Sequence, residues 1–227
     1  MLKLSPILLA VAYGLVLFFF SSRRLSADLT QNSTLLTDPI LDQHCRQMAE
    51  IVGLDKITVY VHEVEPVNGL AAPDGRIFIT RGFMNKYREG AVTSEELASV
   101  IAHELGHIAL GHSRRRMIDF SAQNAIRVTL SMILGRIIPG IGIYLANILT
   151  TMLAARLSRS DEYEADAYAA ALLQKSGIGI RPQITLFEKL SRLTGATGQP
   201  MAWLMSHPKT EDRIKAIETL KDGWSAS

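Results

Sequence analysis

A single cysteine, Cys45, stands in the 227 residues, so no disulfide forms within the chain. It lies well past the first apolar segment, which excludes a lipoprotein attachment there. An excess of charge of one sign is also missing. Lys and Arg number 24 against 22 Asp and Glu, a net +2 that argues against nucleic acid or another polyanion as partner. Charge as a whole is sparse at 20%, while hydrophobic residues reach 48% and mean hydropathy is +0.15. That balance is apolar for a chain in water, so part of it is expected to meet membrane lipid. The length suffices for one core of ordinary size with an appendage.

The chemistry concentrates in residues 93–117, TSEELASVIAHELGHIALGHSRRRM. Thr93 and Glu96 have the spacing of a capping box, which starts a helix. Leu97, Val100, Ile101, Leu105 and Ile108 recur every three or four residues and give that helix a buried stripe. His103 and His107, four apart, then share one face and can offer two nitrogens to one ion, half of a tetrahedral zinc site. Glu104 sits about 100° round the helix, placed to take a proton from water at the ion without ligating it. His112 lies five residues beyond His107 and is left out of the site. His62, in a strand-like run, reads as structural.

Nineteen uncharged residues separate Lys3 from Arg23 and would extend about 28 Å as a helix, near the thickness of a bilayer core. Residues 1–23 are therefore expected to form a retained transmembrane anchor. Leu25 spoils the only nearby signal-cleavage pattern. Lys3 on one flank and Arg23 and Arg24 on the other leave the orientation open. Residues 24–37 read as a polar tether, and 38–227 as the main domain, opening with Asp38-Pro39 as cap and first turn of a helix running to Gly53. The runs 56–64 and 76–80 are strand-like, with Pro73-Asp74-Gly75 as a turn, and predict a small antiparallel sheet. A second apolar region at about 126–156, broken at Pro139-Gly140, is expected to fold as a helical hairpin against the domain or in the membrane interface.

A catalytic zinc needs a third protein ligand. The metzincin layout would require Gly at 110 and His at 113, where the chain has Leu110 and Ser113. The run 157–171, LSRSDEYEADAYAAA, offers Glu162 and Asp166 four apart, one as ligand and the other as acceptor for a histidine N–H.

HELGH at 103–107 followed by SRSDEYEAD at 158–166 resembles the HtpX-like membrane gluzincins of peptidase family M forty-eight. NGLAAPDGRIFITRG at 68–82 and SHPKTEDRI at 206–214 match further segments of that family. The family also includes the Oma-type mitochondrial proteases, periplasmic bacterial relatives and the endopeptidase that trims CAAX prenyl proteins. The resemblance implies an α+β, mostly α, zincin-like metalloprotease domain with one Zn2+ per chain. It implies His103, His107 and Glu162 as ligands, Asp166 as their support and Glu104 as catalytic base. His207 and Arg213 become candidates to stabilise the transition state, or His207 to occupy the open zinc position in a resting form. Read without the family, His207 merely flanks a final helix that begins at Pro208.

The expected reaction is hydrolysis of polypeptide substrates in misfolded or misassembled membrane and envelope proteins. The expected place is a bacterial inner membrane, with the catalytic domain in the periplasm. The strand Ile77, Phe78 and Ile79 is expected to offer an unpaired edge on which an extended substrate adds. A zinc-binding chaperone or adaptor is the alternative, and the presence of Glu104 argues against it. A prenyl-protein processing role lacks the spans to enclose a lipidated peptide.

Overall fold

The computed structural model describes residues 5–72, 74–139, 141–197, 207 and 210–225. Lys3, Pro73, Gly140 and Pro208 lie outside them. Two compact units divide the chain: Met1–Asp28 with Gly111–Asp161, and Leu29–Leu110 with Glu162–Ser227.

In chain order the elements are α1 (Ser5–Gln31), β1 (Ser33–Leu35), α2 (Pro39–Val52), β2 (Val59–His62), β3 (Gly69–Ala71) and β4 (Ile77–Thr80). There follow α3 (Arg81–Arg88), α4 (Ser94–Ala109), α5 (His112–Ile137), α6 (Gly142–Lys175), α7 (Arg181–Thr197) and α8 (Thr210–Ser225). The class is α+β and mostly helical. α2 is bounded as its sequence dictates: Asp38 accepts from the Ile40 and Leu41 amides, Pro39 opens the first turn, and Gly53 closes it at φ 69°.

Two expectations are corrected. The sheet is mixed, in the order β1-β2-β4-β3, with β2 parallel to β4 from Val59↔Ile77 to His62↔Thr80. The turn around Gly75 reverses the chain from β3, not from β2. The antiparallel hairpin is therefore β3–β4, closed by Gly75 N donating to Ala72 O at 2.9 Å, and β2 is left to pair on the far side. This places Ile77, Phe78 and Ile79 on an inner strand with both edges used and no more than 1% of any of them exposed. They offer no edge to a substrate. The polar stretch 24–37 carries regular structure. α1 runs on through Arg23, Arg24 and Asp28, since nothing between Arg23 and Gln31 breaks a helix. Among the described residues no helix is long and apolar enough to cross a membrane. Ser33–Leu35, in the polar stretch, is an edge strand antiparallel to β2. His62 is structural, its Nδ1 3.1 Å from Asn32 O and 3.2 Å from Ser33 Oγ, which fastens β1 in place.

In the Leu29–Leu110 and Glu162–Ser227 unit, α4 lies at the centre of the core. Leu97, Val100 and Ile101 are buried with Met48 of α2, Ile77 and Ile79 of β4, and Phe187 and Leu190 of α7. Each such side chain contributes roughly 1.5–3 kcal/mol by leaving water. A helix held on several sides in this way presents its histidines from a rigid base. In the other unit α6 starts immediately beneath the last turn of α5. A Cβ on Gly142 would lie 2.1 Å from the Leu134 carbonyl oxygen, so only glycine fits.

Candidate metal centre

The head of α4 is fixed first. Glu96 N donates to Thr93 Oγ1 at 3.2 Å and Thr93 N to Glu96 Oε2 at 2.9 Å, completing the capping box. Glu96 also accepts from Thr185 Oγ1 at 2.9 Å and Lys189 Nζ at 2.8 Å, which clamps α4 to α7. The charge of this buried glutamate is thereby paired instead of stranded.

Two turns further on, His103 and His107 face one another with Nε2 atoms 3.1 Å apart. α6 crosses at Gly106, where a Cβ would lie 3.1 Å from the Ala165 carbonyl oxygen and 3.2 Å from Ala165 Cα. Any side chain there would force the helices apart. The close crossing sets Glu162 over the imidazoles, with Oε2 3.4 Å from His103 Nε2 and Oε1 3.5 Å from His107 Nε2. His207 arrives from beyond α7, its Nδ1 3.3 Å from His103 Nε2 and in contact with Glu162 Oε2. One ligand atom from each of these four buried residues lies within 4.8 Å of the other three.

These separations test whether a cation fits. Tetrahedral coordination by N and O at about 2.0–2.1 Å gives ligand-to-ligand edges of about 3.3 Å. Four of the separations run from 3.1 to 3.5 Å, with Glu162 Oε2 facing His103 and Oε1 facing His107; the His207–Glu162 contact is shorter, and one ligand atom from each residue lies within 4.8 Å of the others. Two imidazole lone pairs aimed at each other across 3.1 Å share at most one proton, whereas a cation between them satisfies both. The donor set of imidazole and carboxylate suits zinc.

Asp166, one turn after Glu162, supports from behind, its Oδ1 3.0 Å from His103 Nδ1. This contact fixes the ring so that Nε2 points at the site. Arg213 in turn grips Asp166 through both nitrogens of its fork, Nε to Oδ2 at 2.5 Å and Nη2 to Oδ1 at 2.7 Å. Its Nη1 donates to the His207 carbonyl at 3.0 Å, and the guanidinium lies 4.6 Å over the Phe187 ring. Arg213, expected to stabilise the transition state, is tied here to Asp166 and to the segment carrying His207. It is 1% exposed, and those three bonds use three of its five N–H donors.

Burial works against charge on all of these groups, and their partners outweigh it. In the metal-free chain Asp166 and Glu162 carry His103 up to about 9. His103 and His207 hold Glu162 well below the ordinary carboxylate range, and Arg213 does the same for Asp166. The carboxylates are therefore ionised and ready to ligate or accept.

Glu104 is 1% exposed, and its Oε1 has no hydrogen-bond partner among the described residues. His207 Nε2 is 3.7 Å from that oxygen. β3 passes directly beside it: a Cβ on Gly69 would lie 3.5 Å from Glu104 Oε1 and 2.6 Å from Val100 Cγ1. His112 belongs to the other unit, its Nε2 3.9 Å from Asp161 Oδ1. The sequence reading missed Gly106, Gly69, and Gln183, whose Nε2 donates to Asp166 O at 3.3 Å. Only Gly106, inside the His-Glu-x-x-His pentapeptide, carried a signal that could have been used.

Two imidazoles and a carboxylate from crossing helices, with a buried glutamate beside them whose Oε1 has no hydrogen-bond partner among the described residues, define a centre of the metal-dependent hydrolase type. Residues 36–221 match Peptidase family M48, and the chain belongs to that family. It is 31% identical over 157 residues to Metalloprotease LoiP of Escherichia coli (strain K12), covering 69% of this chain and 60% of that protein. It is 26% identical over 200 residues to a putative beta-barrel assembly-enhancing protease of Vibrio cholerae, covering 82% and 40%. With the mitochondrial metalloendopeptidase OMA1 of Homo sapiens it shares 25% over 186 residues, covering 75% and 34%. The chain spans about three-fifths or less of the length of these relatives.

Proposed function

We propose that the chain is a zinc-dependent endopeptidase acting on misfolded or misassembled membrane and envelope proteins. The observation that carries this reading is the convergence of buried ligand atoms from His103, His107 and Glu162, with Glu104 Oε1, which has no hydrogen-bond partner among the described residues, alongside. Zinc held there would supply Lewis acidity, polarising a carbonyl and easing loss of a proton from water. Glu104 takes that proton and passes it to the leaving amine. Asp166 and Arg213 hold His103 in register. His207 is the fourth buried residue of the cluster and would be a further ligand in this conformation, which favours a resting form that opens when His207 withdraws. With Ile77–Thr80 enclosed, the edge strand β3 beside Glu104 is the one on which an extended substrate adds. The names of the relatives, a beta-barrel assembly-enhancing protease among them, support quality control as the setting.

Attachment to a bacterial inner membrane, with the catalytic unit in the periplasm, belongs to the same reading. Its support is the exposed apolar surface of α1, where Leu8, Leu9, Tyr13 and Phe20 are each more than half exposed. Carbonate extraction and protease accessibility in spheroplasts test it. For the chemistry, Glu104→Gln is compared with wild type on an unfolded protein. Cleavage should vanish with zinc content unchanged. Cleavage by Glu104→Gln at the wild-type rate refutes the reading, and surviving protection against aggregation without cleavage in either protein points to a chaperone.

A further inference from the structure

The unit containing Gly111–Asp161 carries exposed apolar surface on α5 and α6. Ile126, Ile133 and Ile137 of α5 fall within about 20° of one line at 100° per residue, and they are 40%, 44% and 69% exposed. Arg127 and Arg136 flank that line, one on each side. On α6 a second stripe, Tyr144, Ile148 and Met152, is 67%, 39% and 64% exposed and runs into Arg156. No acidic residue occurs between Asp119 and Asp161. The charge asymmetry extends to the whole unit: ten Lys and Arg stand against three Asp and Glu in Met1–Asp28 with Gly111–Asp161, whereas the rest of the chain has fourteen against nineteen.

An apolar stripe bordered by arginines suits a helix lying in a lipid interface, with the stripe among acyl chains and the guanidinium groups at headgroup level. The leg lengths agree. α5 rises about 14 Å from Arg127 to Arg136, and α6 about 21 Å from Gly142 to Arg156, both short of a hydrocarbon core of about 30 Å. We propose that residues 126–156 dock on an anionic bilayer, seating both stripes in one leaflet and setting Arg127, Arg136 and Arg156 against the lipid phosphates. A lipid surface accounts for the greasy faces and the one-signed charge together, where a protein groove would need only the first. This inference rests on α5 and the first part of α6 alone, so loss of peptidase activity leaves it standing.

The test uses the full chain with Tyr144→Cys or Met152→Cys, labelled with a polarity-sensitive fluorophore. Buried Cys45, its thiol pushed up to about 12, does not compete for the label at neutral pH. The chain is bound to phosphatidylcholine vesicles with and without phosphatidylglycerol, and flotation establishes attachment. The label should shift to the blue and be quenched by shallow spin-labelled lipids more than by deep ones, chiefly when phosphatidylglycerol is present. Arg127→Gln with Arg136→Gln should lower the ratio of inserted to water-exposed label about fivefold per arginine. A label that stays water-exposed on floated chains overturns the proposal, as does strongest quenching from the bilayer centre. Equal insertion without phosphatidylglycerol also overturns it, and so does a lipid-independent shift that grows with protein concentration, which would mark a contact between copies.

Discussion

Replacing Arg213 by methionine, which keeps most of the volume and removes the charge, separates two roles for this residue. Arg213 gives Asp166 two charge-assisted hydrogen bonds at 2.5 and 2.7 Å, and its Nη1 is 3.6 Å from Glu162 Oε2. Without it two carboxylates, each about 2% exposed or less, lose their nearest permanent cation. Breaking a buried pair from one side costs about 3–5 kcal/mol. In a chain of this size that lowers the melting temperature by roughly 6–20 °C. Loss of support behind a liganding histidine also weakens metal binding by about 10–100-fold. Calorimetry in excess chelator measures the first quantity, and competition against a chromophoric chelator measures the second. Arg213→Lys keeps the charge but not the fork, and should fall between methionine and wild type in both. If Arg213 instead touched the reacting carbonyl, Arg213→Met would lose turnover while melting temperature and zinc affinity stayed at wild-type values, and that outcome refutes the positioning role.

Gly106→Ala adds a methyl about 3.1 Å from the Ala165 backbone oxygen, on two helices that cannot both yield. It should cost about 1–3 kcal/mol and reduce zinc content at limiting metal, read by atomic emission after dialysis; full occupancy would show that the crossing does not set the site. Gly82→Ala, whose Cβ would lie 1.8 Å from Glu65 O, should be worse for folding, in urea titration, than Gly53→Ala, which meets nothing within 4 Å. His103 is raised from 6.5 to about 9 in the metal-free chain, so its contribution to stability is complete below 6.5 and is lost as pH climbs through 9. Zinc must displace that proton, so affinity should rise with pH across the same window, with proton release visible in calorimetry in buffers of different ionisation enthalpy. His207→Ala should leave zinc on three ligands and speed cleavage of a short peptide; slower cleavage with zinc retained would assign His207 to the oxyanion instead.

Helical facts were legible because they are local. The capping box at Thr93 and Glu96, the stripe through Leu97, Val100, Ile101 and Leu105, and the shared face of His103 and His107 all follow from 3.6 residues per turn. Glu162 and Asp166 were legible as one face of a helix, but their distance from the histidines was not. It is fixed by the contact of Gly106 with Ala165, some sixty residues apart in the chain, and by α7 holding α4 through Glu96. Strands of three residues left still less trace. Gly69, Leu70 and Ala71 have no β-branched residue among them, and they form β3 only because Ile77–Thr80 lies alongside to pair with. That one omission turned an inner strand into a supposed edge.

Arg213 shows where a motif stops being informative. A guanidinium near a zinc site can neutralise charge that develops on the substrate or charge that is already buried in the protein, and the spacing from His207 is the same for both. The count of acidic groups decides. Within the cluster Asp166, Glu162 and Glu104 are all buried, whereas the imidazoles must be neutral to ligate. Asp166 and Glu162 are held ionised by their partners, and Arg213 is the permanent cation bonded to Asp166 and 3.6 Å from Glu162. On the proposed zinc reading Arg213 would therefore belong to the resting charge balance of the centre and not to the reacting carbonyl.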